Sequence, residues 1–182
     1  GHEVVCCVRD KKRFDSSRFQ SSKVPKFQVP NSKLSIIEVD FLDPASLVAI
    51  PGDIDVAYYL IHSMSSSVGD FEELEKRSAE NFRDRINQTQ TRQVIYLSGI
   101  INSEELSKHL SSRKAVEEIL GQGRYKLTTL RAGIIVGSGS ASFEIIRDLV
   151  EKLPVMIAPR WLNTRSQPIA IRNVIQFLKG VA

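Results

Sequence analysis

Short apolar runs alternate with stretches of helical periodicity along most of this chain, and that alternation limits the fold more than any other feature. The run Asp55 to Ile61 is apolar on both faces, as suits a strand buried on both sides within a parallel sheet. His2–Val8 and Leu34–Val39 read as two more strands and Val94–Ser98 as another. Leu127–Val136 reads as one long strand that ends in Gly137-Ser138-Gly139-Ser140. Between these runs, Asp70 with Glu73 three residues on makes a capping signature. Phe71, Leu74, Ala79, Phe82 and Ile86 then recur on one helical face. Ser112–Leu120 and Ser142–Leu153 read as further helices, the second stopped by Pro154. Strands and helices alternating in this way predict βαβ units. The expected class is α/β, a Rossmann-type doubly wound parallel sheet with helices on both faces.

Past Pro154 the pattern changes. Val155–Trp161 and Gln167–Ile171 are short extended pieces, and a closing helix from Arg172 carries Val174, Ile175 and Leu178. The chain therefore divides into a core over 1–153 and a smaller region over 154–182. The closing helix is amphipathic to the last residue, so a continuation beyond Ala182 is expected.

With 182 residues, 42% of them hydrophobic and 25% charged, the chain is long enough for one globular domain that buries roughly 70% of its unfolded surface. Disordered, collagen-like and disulfide-scaffold classes are excluded. No apolar run approaches the ~20 residues that span a bilayer, and no signal peptide is visible, so no membrane partner is expected. Cys6 and Cys7 are adjacent and on a strand point to opposite faces; they read as two reduced, buried thiols of a cytoplasmic protein. His2, His62 and His109 are far apart in sequence, and no metal-ligand spacing occurs.

The net charge of +4 is uneven. Between Arg9 and Lys33 eight Lys/Arg face only Asp10 and Asp15, a local +6. That stretch also holds Pro25, Pro30 and several serines, and reads as a long solvated loop whose first cations could meet a phosphate. Only Phe14, Phe19 and Phe27 interleave its cations, and no nucleic-acid motif is present, so nucleic acid is not an expected partner.

Several segments occur in a telling order: Val8-Arg9-Asp10, Val39-Asp40-Phe41-Leu42-Asp43-Pro44, Tyr59-Leu60-Ile61-His62-Ser63-Met64, and Val94-Ile95-Tyr96-Leu97-Ser98-Gly99. His109-Leu110-Ser111-Ser112-Arg113 follows, then Leu130-Arg131-Ala132-Gly133 running on to Ser140, and Gln167-Pro168-Ile169-Ala170-Ile171. In this order the chain closely resembles the atypical short-chain dehydrogenase/reductases, in the subgroup of NAD(P)-binding, nucleoside-diphosphate-sugar epimerase-like proteins. Such proteins open with a strand, a Gly-rich turn and a helix whose N-terminus holds the cofactor pyrophosphate. That unit is not found in this sequence. The resemblance therefore implies a sheet without its central strand, and weak dinucleotide binding by these 182 residues alone.

The resemblance also assigns roles. Arg9, after the first strand, falls where the 2′-hydroxyl or 2′-phosphate of the cofactor is read. A cation there favours NADP, while Asp10 beside it keeps NAD as the alternative. Asp40 would accept from the adenine amino group with Phe41 beside the ring; the competing reading is that Asp40 only turns the chain. Leu60, Ile61, His62 and Ser63 would run under the adenine-side ribose, and Ala132 and Gly133 would face the nicotinamide.

Ser98 matches the family's catalytic serine, but the usual Tyr-x-x-x-Lys appears as His109-x-x-x-Arg113. Imidazole can serve as a general acid near neutral pH. Arg113 does not titrate but could hold a ribose or phosphate. Ser138 and Ser140, at a helix N-terminus that attracts anions, and Arg160 and Trp161, in what the family makes the substrate-side region, are candidate substrate contacts. The implied function is an NAD(P)-dependent oxidoreductase or epimerase acting on a small carbonyl or sugar nucleotide. The alternative is a non-catalytic NAD(P)-binding regulator of the same fold.

Overall fold

The apolar runs fold as the parallel strands that their two-sided hydrophobicity demands. A computed structural model describes residues 2–14, 33–61, 71–100, 108–137, 141–152 and 167–182. Strand β1 (Glu3–Val8) pairs parallel with β2 (Lys33–Glu38), in register from Glu3 against Lys33 to Val8 against Glu38. Strands β3 (Val56–Tyr59), β4 (Gln93–Gly99) and β5 (Lys126–Ala132) form a second parallel sheet with β4 in its centre. β4 is the most deeply buried: Val94 and Ile95 are fully enclosed, as expected of a strand with neighbours on both sides.

Helix α1 (Phe71–Ile86) joins β3 to β4, and α2 (Lys108–Leu120) joins β4 to β5. The apolar stripe read from the sequence carries α1 into the core through Ala79, Phe82 and Ile86. Val116 and Leu120 do the same for α2. Val39, Leu47, Ile50 and Tyr59 complete that core, against which Cys7 and Ile37 of the first sheet also pack. The two sheets therefore share one interior. A 3-10 turn at Ser46–Ala49 links β2 to β3 and is tied to α1, since Asn81 Nδ2 donates to the Phe41 carbonyl at 2.8 Å and the Arg85 guanidinium donates to the Ile50 carbonyl.

Two boundaries differ from the sequence reading. Helix α2 begins at Lys108, one turn before Ser112, which lies inside the helix and is hydrogen-bonded sideways to a neighbouring helix. The run 127–136 is two strands and not one: β5 stops at Ala132, and β6 (Ile135–Val136) pairs instead with β7 (Ile169–Ala170). Gly133 makes the break possible, since the Gln167 carbonyl oxygen occupies the space a side chain would need there. Helices α3 (Ala141–Lys152) and α4 (Ile171–Gly180) follow the predicted spans closely. α4 returns to the sheet, where the Tyr58 hydroxyl donates to the Leu178 carbonyl at 3.1 Å and Gln93 Nε2 donates to that of Val181 at 2.8 Å. The Asp70 cap and the stop at Pro154 lie outside the described residues. No helix among the described residues is long and apolar enough to cross a membrane.

Cys6 and Cys7 are unbridged and only half-buried, less enclosed than expected, in keeping with β1 having one partner, β2, among the described strands. Burial, and then the neighbouring Cys6, push the Cys7 thiol up to about 11. Burial likewise raises Tyr59, and it raises Tyr125 to about 12. Each of these groups holds its proton more tightly when folded than when unfolded. The stability they contribute is thus complete below their unfolded values and is lost as pH rises through the folded ones. Urea unfolding should accordingly show stability falling between about pH 9 and pH 11–12, and Cys7 should react with a thiol reagent at pH 8 more slowly than an unfolded cysteine. Flat stability across that interval would contradict this burial.

Candidate active site

The C-terminal ends of β3, β4 and β5 open onto a cavity of about 430 Å³, at the edge where ligands of open parallel sheets lie. Six residues singled out in the sequence line it: Leu60 and Ile61 beyond β3, Ser98 on β4, Arg113 on α2, and Ala132 and Gly133 at the end of β5. Parallel pairing explains the convergence, because it brings the strand ends to one side; Ser98 is in register with Arg131, and Gly99 with Ala132.

The polar groups of the cavity are few. Ser98 is 1% exposed, and its hydroxyl makes no hydrogen bond of good geometry among the described residues. Tyr96 lies on the same strand face two residues earlier, and its hydroxyl donates to the Arg113 carbonyl at 3.3 Å. Burial raises the Tyr96 phenol, while the nearby Ser98 hydroxyl and the Arg113 charge oppose the rise. Glu75 of α1 reaches in from the other side, 6% exposed, and its carboxylate accepts from the Ser112 hydroxyl of α2. One guanidinium, one carboxylate and one available hydroxyl thus meet between apolar walls. That inventory can orient a ligand that presents both hydroxyl and charged groups.

Sequence reasoning passed over Glu75, Tyr59 and Tyr96. The signal for Glu75 was present: it sits four residues after Phe71 and four before Ala79, on the apolar stripe of its helix, where a carboxylate is out of place. The two tyrosines stood within the strand motifs of the resemblance and were given no role of their own.

Other candidates lie elsewhere. Arg9, Asp40 and Phe41 sit at the ends of β1 and β2 and do not line the cavity. Arg9 Nε is 4.0 Å from Asp40 Oδ1, an exposed pair that the sequence reading treated as two separate contacts. The same Asp40 oxygen accepts from the Leu42 amide at 2.9 Å and so turns the chain; Phe41 packs its ring against Phe82. Asp10 accepts from the Lys12 amide at 2.8 Å, capping a short 3-10 turn at Lys11–Arg13. His109 lies in the first turn of α2, one turn before Arg113, and its side chain is outside the described residues. His62, Ser63, Ser138, Ser140, Arg160 and Trp161 also fall outside them, as does most of the basic stretch.

No protein-family model matches the chain. No curated protein matches it either. Solved structures do. The Bordetella bronchiseptica enzyme WbmG, in complex with NAD and UDP, superposes with a TM-score of 0.67 at 11% identity, over 98% of this chain and 60% of that one. UDP-glucuronic acid 4-epimerase from Bacillus cereus, in complex with UDP-glucuronic acid and NAD, gives 0.64 at 15% identity, over 98% and 64%. The dTDP-glucose 4,6-dehydratase DesIV from Streptomyces venezuelae, with NAD bound, gives 0.67 at 9% identity, over 96% and 60%. This chain thus spans less than two thirds of the length of each. At such identities the likeness is one of architecture: the chain shares the Rossmann-type α/β fold of these structures, parallel strands with helices between them.

Proposed function

We propose that this chain forms the core of a nicotinamide-dinucleotide-binding protein of the oxidoreductase or epimerase kind, acting on a small carbonyl or a sugar nucleotide. The observation that carries the reading is the convergence of Leu60, Ile61, Ser98, Arg113, Ala132 and Gly133 on one cavity at the strand ends. The fold neighbours that hold NAD support a cofactor of this class. Leu60 and Ile61 would lie along the cofactor, and Ala132 and Gly133 beneath its nicotinamide. Ser98 would bind the reacting oxygen through its available hydroxyl. When bound, the cofactor would supply or accept a hydride; the protein's part is to position the substrate and to move one proton. His109 is the group proposed for that proton, with Arg113 holding a ribose or phosphate. Arg9 would read a 2′-phosphate, which makes NADP the preferred form. The 154–182 region would begin the substrate side.

The test is a calorimetric titration of NADPH and NADH into the natural full-length protein and its Arg9→Ala and Arg113→Ala variants. NADPH should bind more tightly than NADH. Arg9→Ala should remove roughly tenfold of that preference, as expected for loss of one charge-assisted contact, and Arg113→Ala should weaken both. Binding of neither nucleotide would reject the reading. NADPH consumption against a panel of carbonyl compounds then separates an enzyme from a regulator that binds without turnover.

A further inference from the structure

One wall of the cavity carries a charged group to which the proposed function gives no part. Glu75 lines the cavity from α1, almost fully buried, on a helix whose inward residues Ala79, Phe82 and Ile86 belong to the apolar core. Taking a carboxylate out of water is costly. The hydrogen bond from the Ser112 hydroxyl offsets part of that cost and ties two helices together. It does not require a charge, because a neutral amide in the same place could accept the same bond with less desolvation. The charge needs a reason of its own.

Acceptor capacity supplies one. An ionised carboxylate accepts only, at about four lone-pair sites, and Ser112 takes one of them. On the strand side, Ser98 lines the same cavity, and its buried hydroxyl has no hydrogen-bond partner of good geometry among the described residues. An acceptor on α1 and a donor on β4 suit a carbonyl compound that also carries hydroxyl groups. Its carbonyl accepts from Ser98 and a hydroxyl donates to Glu75. Under the function proposed, Arg113 holds the cofactor, so Glu75 is the charge that the substrate meets. Its field reaches both neighbouring strands. After burial, which is the main cause, the Glu75 charge adds to the raised proton affinity of the Tyr59 and Tyr96 phenols.

We infer that Glu75 selects the substrate of this cavity: it accepts from a hydroxyl on the neutral hexose of a sugar nucleotide, and it excludes a sugar that carries a carboxylate. The inference rests on the proposed function, since it concerns the substrate of the same site. A hydroxyl donating to a carboxylate makes a charge-assisted bond. Two carboxylates enclosed together repel, and low polarity strengthens the repulsion. In a cavity of about 430 Å³ no part of a hexose lies far from the wall, so a carboxylate anywhere on the sugar meets that charge.

The test is a calorimetric titration of glucose and glucuronic acid, each as its UDP and dTDP derivative, into the natural full-length protein. The two sugars differ only in a hydroxymethyl group against a carboxylate. The glucose form should bind about tenfold or more tightly, from one charge-assisted bond gained and one repulsion avoided. Glu75→Gln keeps the shape of the side chain and should bring the two sugars within about threefold, chiefly by admitting glucuronic acid. Ser112→Ala breaks the bond between the helices but keeps the charge, and should leave the ratio as it was. Equal or tighter binding of the glucuronic acid form overturns the inference on the unaltered protein alone, whether or not the variants fold. An unchanged ratio in Glu75→Gln overturns it as well. So does a ratio lost equally in Ser112→Ala, which would make Glu75 a structural group. If neither sugar nucleotide binds, the inference falls; NADPH and NADH titrated into the same samples then show whether the cofactor reading falls with it.

Discussion

Replacing Phe82 with alanine is expected to remove about 3–5 kcal/mol of folding stability. The ring is 5% exposed and stands between two others, edge-on to Tyr59 at 4.9 Å between centroids and tilted toward Phe41 at 5.9 Å. It thereby joins helix α1 both to β3 and to the loop after β2. Truncation forfeits the transfer energy of the ring and leaves a space that rigid strands cannot close. It also removes two aromatic contacts worth about 0.5–1.5 kcal/mol each. Against a typical total of about 5–15 kcal/mol, such a loss is severe. Phe82→Leu keeps an apolar side chain in the gap and should cost roughly 1–2 kcal/mol. Urea unfolding of the three proteins decides the matter, read as a shift of midpoint at constant slope. A loss below about 1 kcal/mol for the alanine variant would show that the cluster does not hold these elements together.

The same residue shows why so much of the architecture could be read in advance. Phe82 belongs to a helical stripe, and a 3.6-residue period survives in sequence because it reflects one continuous face. The strands were legible for the converse reason: Val56–Tyr59 and Val94–Leu97 are apolar at every position, which only enclosure on both faces requires. What local pattern does not contain is a contact made by a distant part of the chain. The break after Ala132 depends on the carbonyl of Gln167, so the run 127–136 looked continuous. For Asp40 the sequence left two readings open, an adenine contact and a turn; its bond from the Leu42 amide shows the turn, which residue type alone does not specify.

The candidate site divides in the same way. Ser98, Arg113, Ala132 and Gly133 came from motif order, and parallel register gathers them onto one cavity. Glu75 was readable as a carboxylate on an apolar stripe, but its link to Ser112 joins two helices and has no local signature. That buried hydrogen bond ties α2 to α1 one residue before Arg113, which lines the cavity. The geometry of the site thus rests on a polar contact inside the core as much as on the strands beneath it.

Gly133→Ala is the second large expected effect, and it connects stability to that cavity. A Cβ at position 133 would fall far inside van der Waals distance of the Gln167 carbonyl oxygen, with the Gln167 carbonyl carbon at 3.4 Å. Both are backbone atoms, so no side-chain rotation can relieve the overlap; the chain itself must move. The segment that would move carries β7, which pairs Ile135 with Ile169 and whose Ile169 amide donates to the Ile134 carbonyl at 2.9 Å. The expected cost is about 1–3 kcal/mol, that of overpacking a filled site. Faster hydrogen exchange at Ile169 should accompany it, while Val94 and Ile95 exchange as before. Gly52 supplies the control, since a Cβ there meets nothing within 4 Å; Gly52→Ala should change stability by no more than about 0.5 kcal/mol. Because Ala132 through Ile135 form one wall of the cavity, the Gly133 variant should also lose ligand affinity, which the Gly52 variant should keep. Equal stability of the two variants would mean that the Gln167 segment yields without cost, and that the turn at Gly133 does not shape the site.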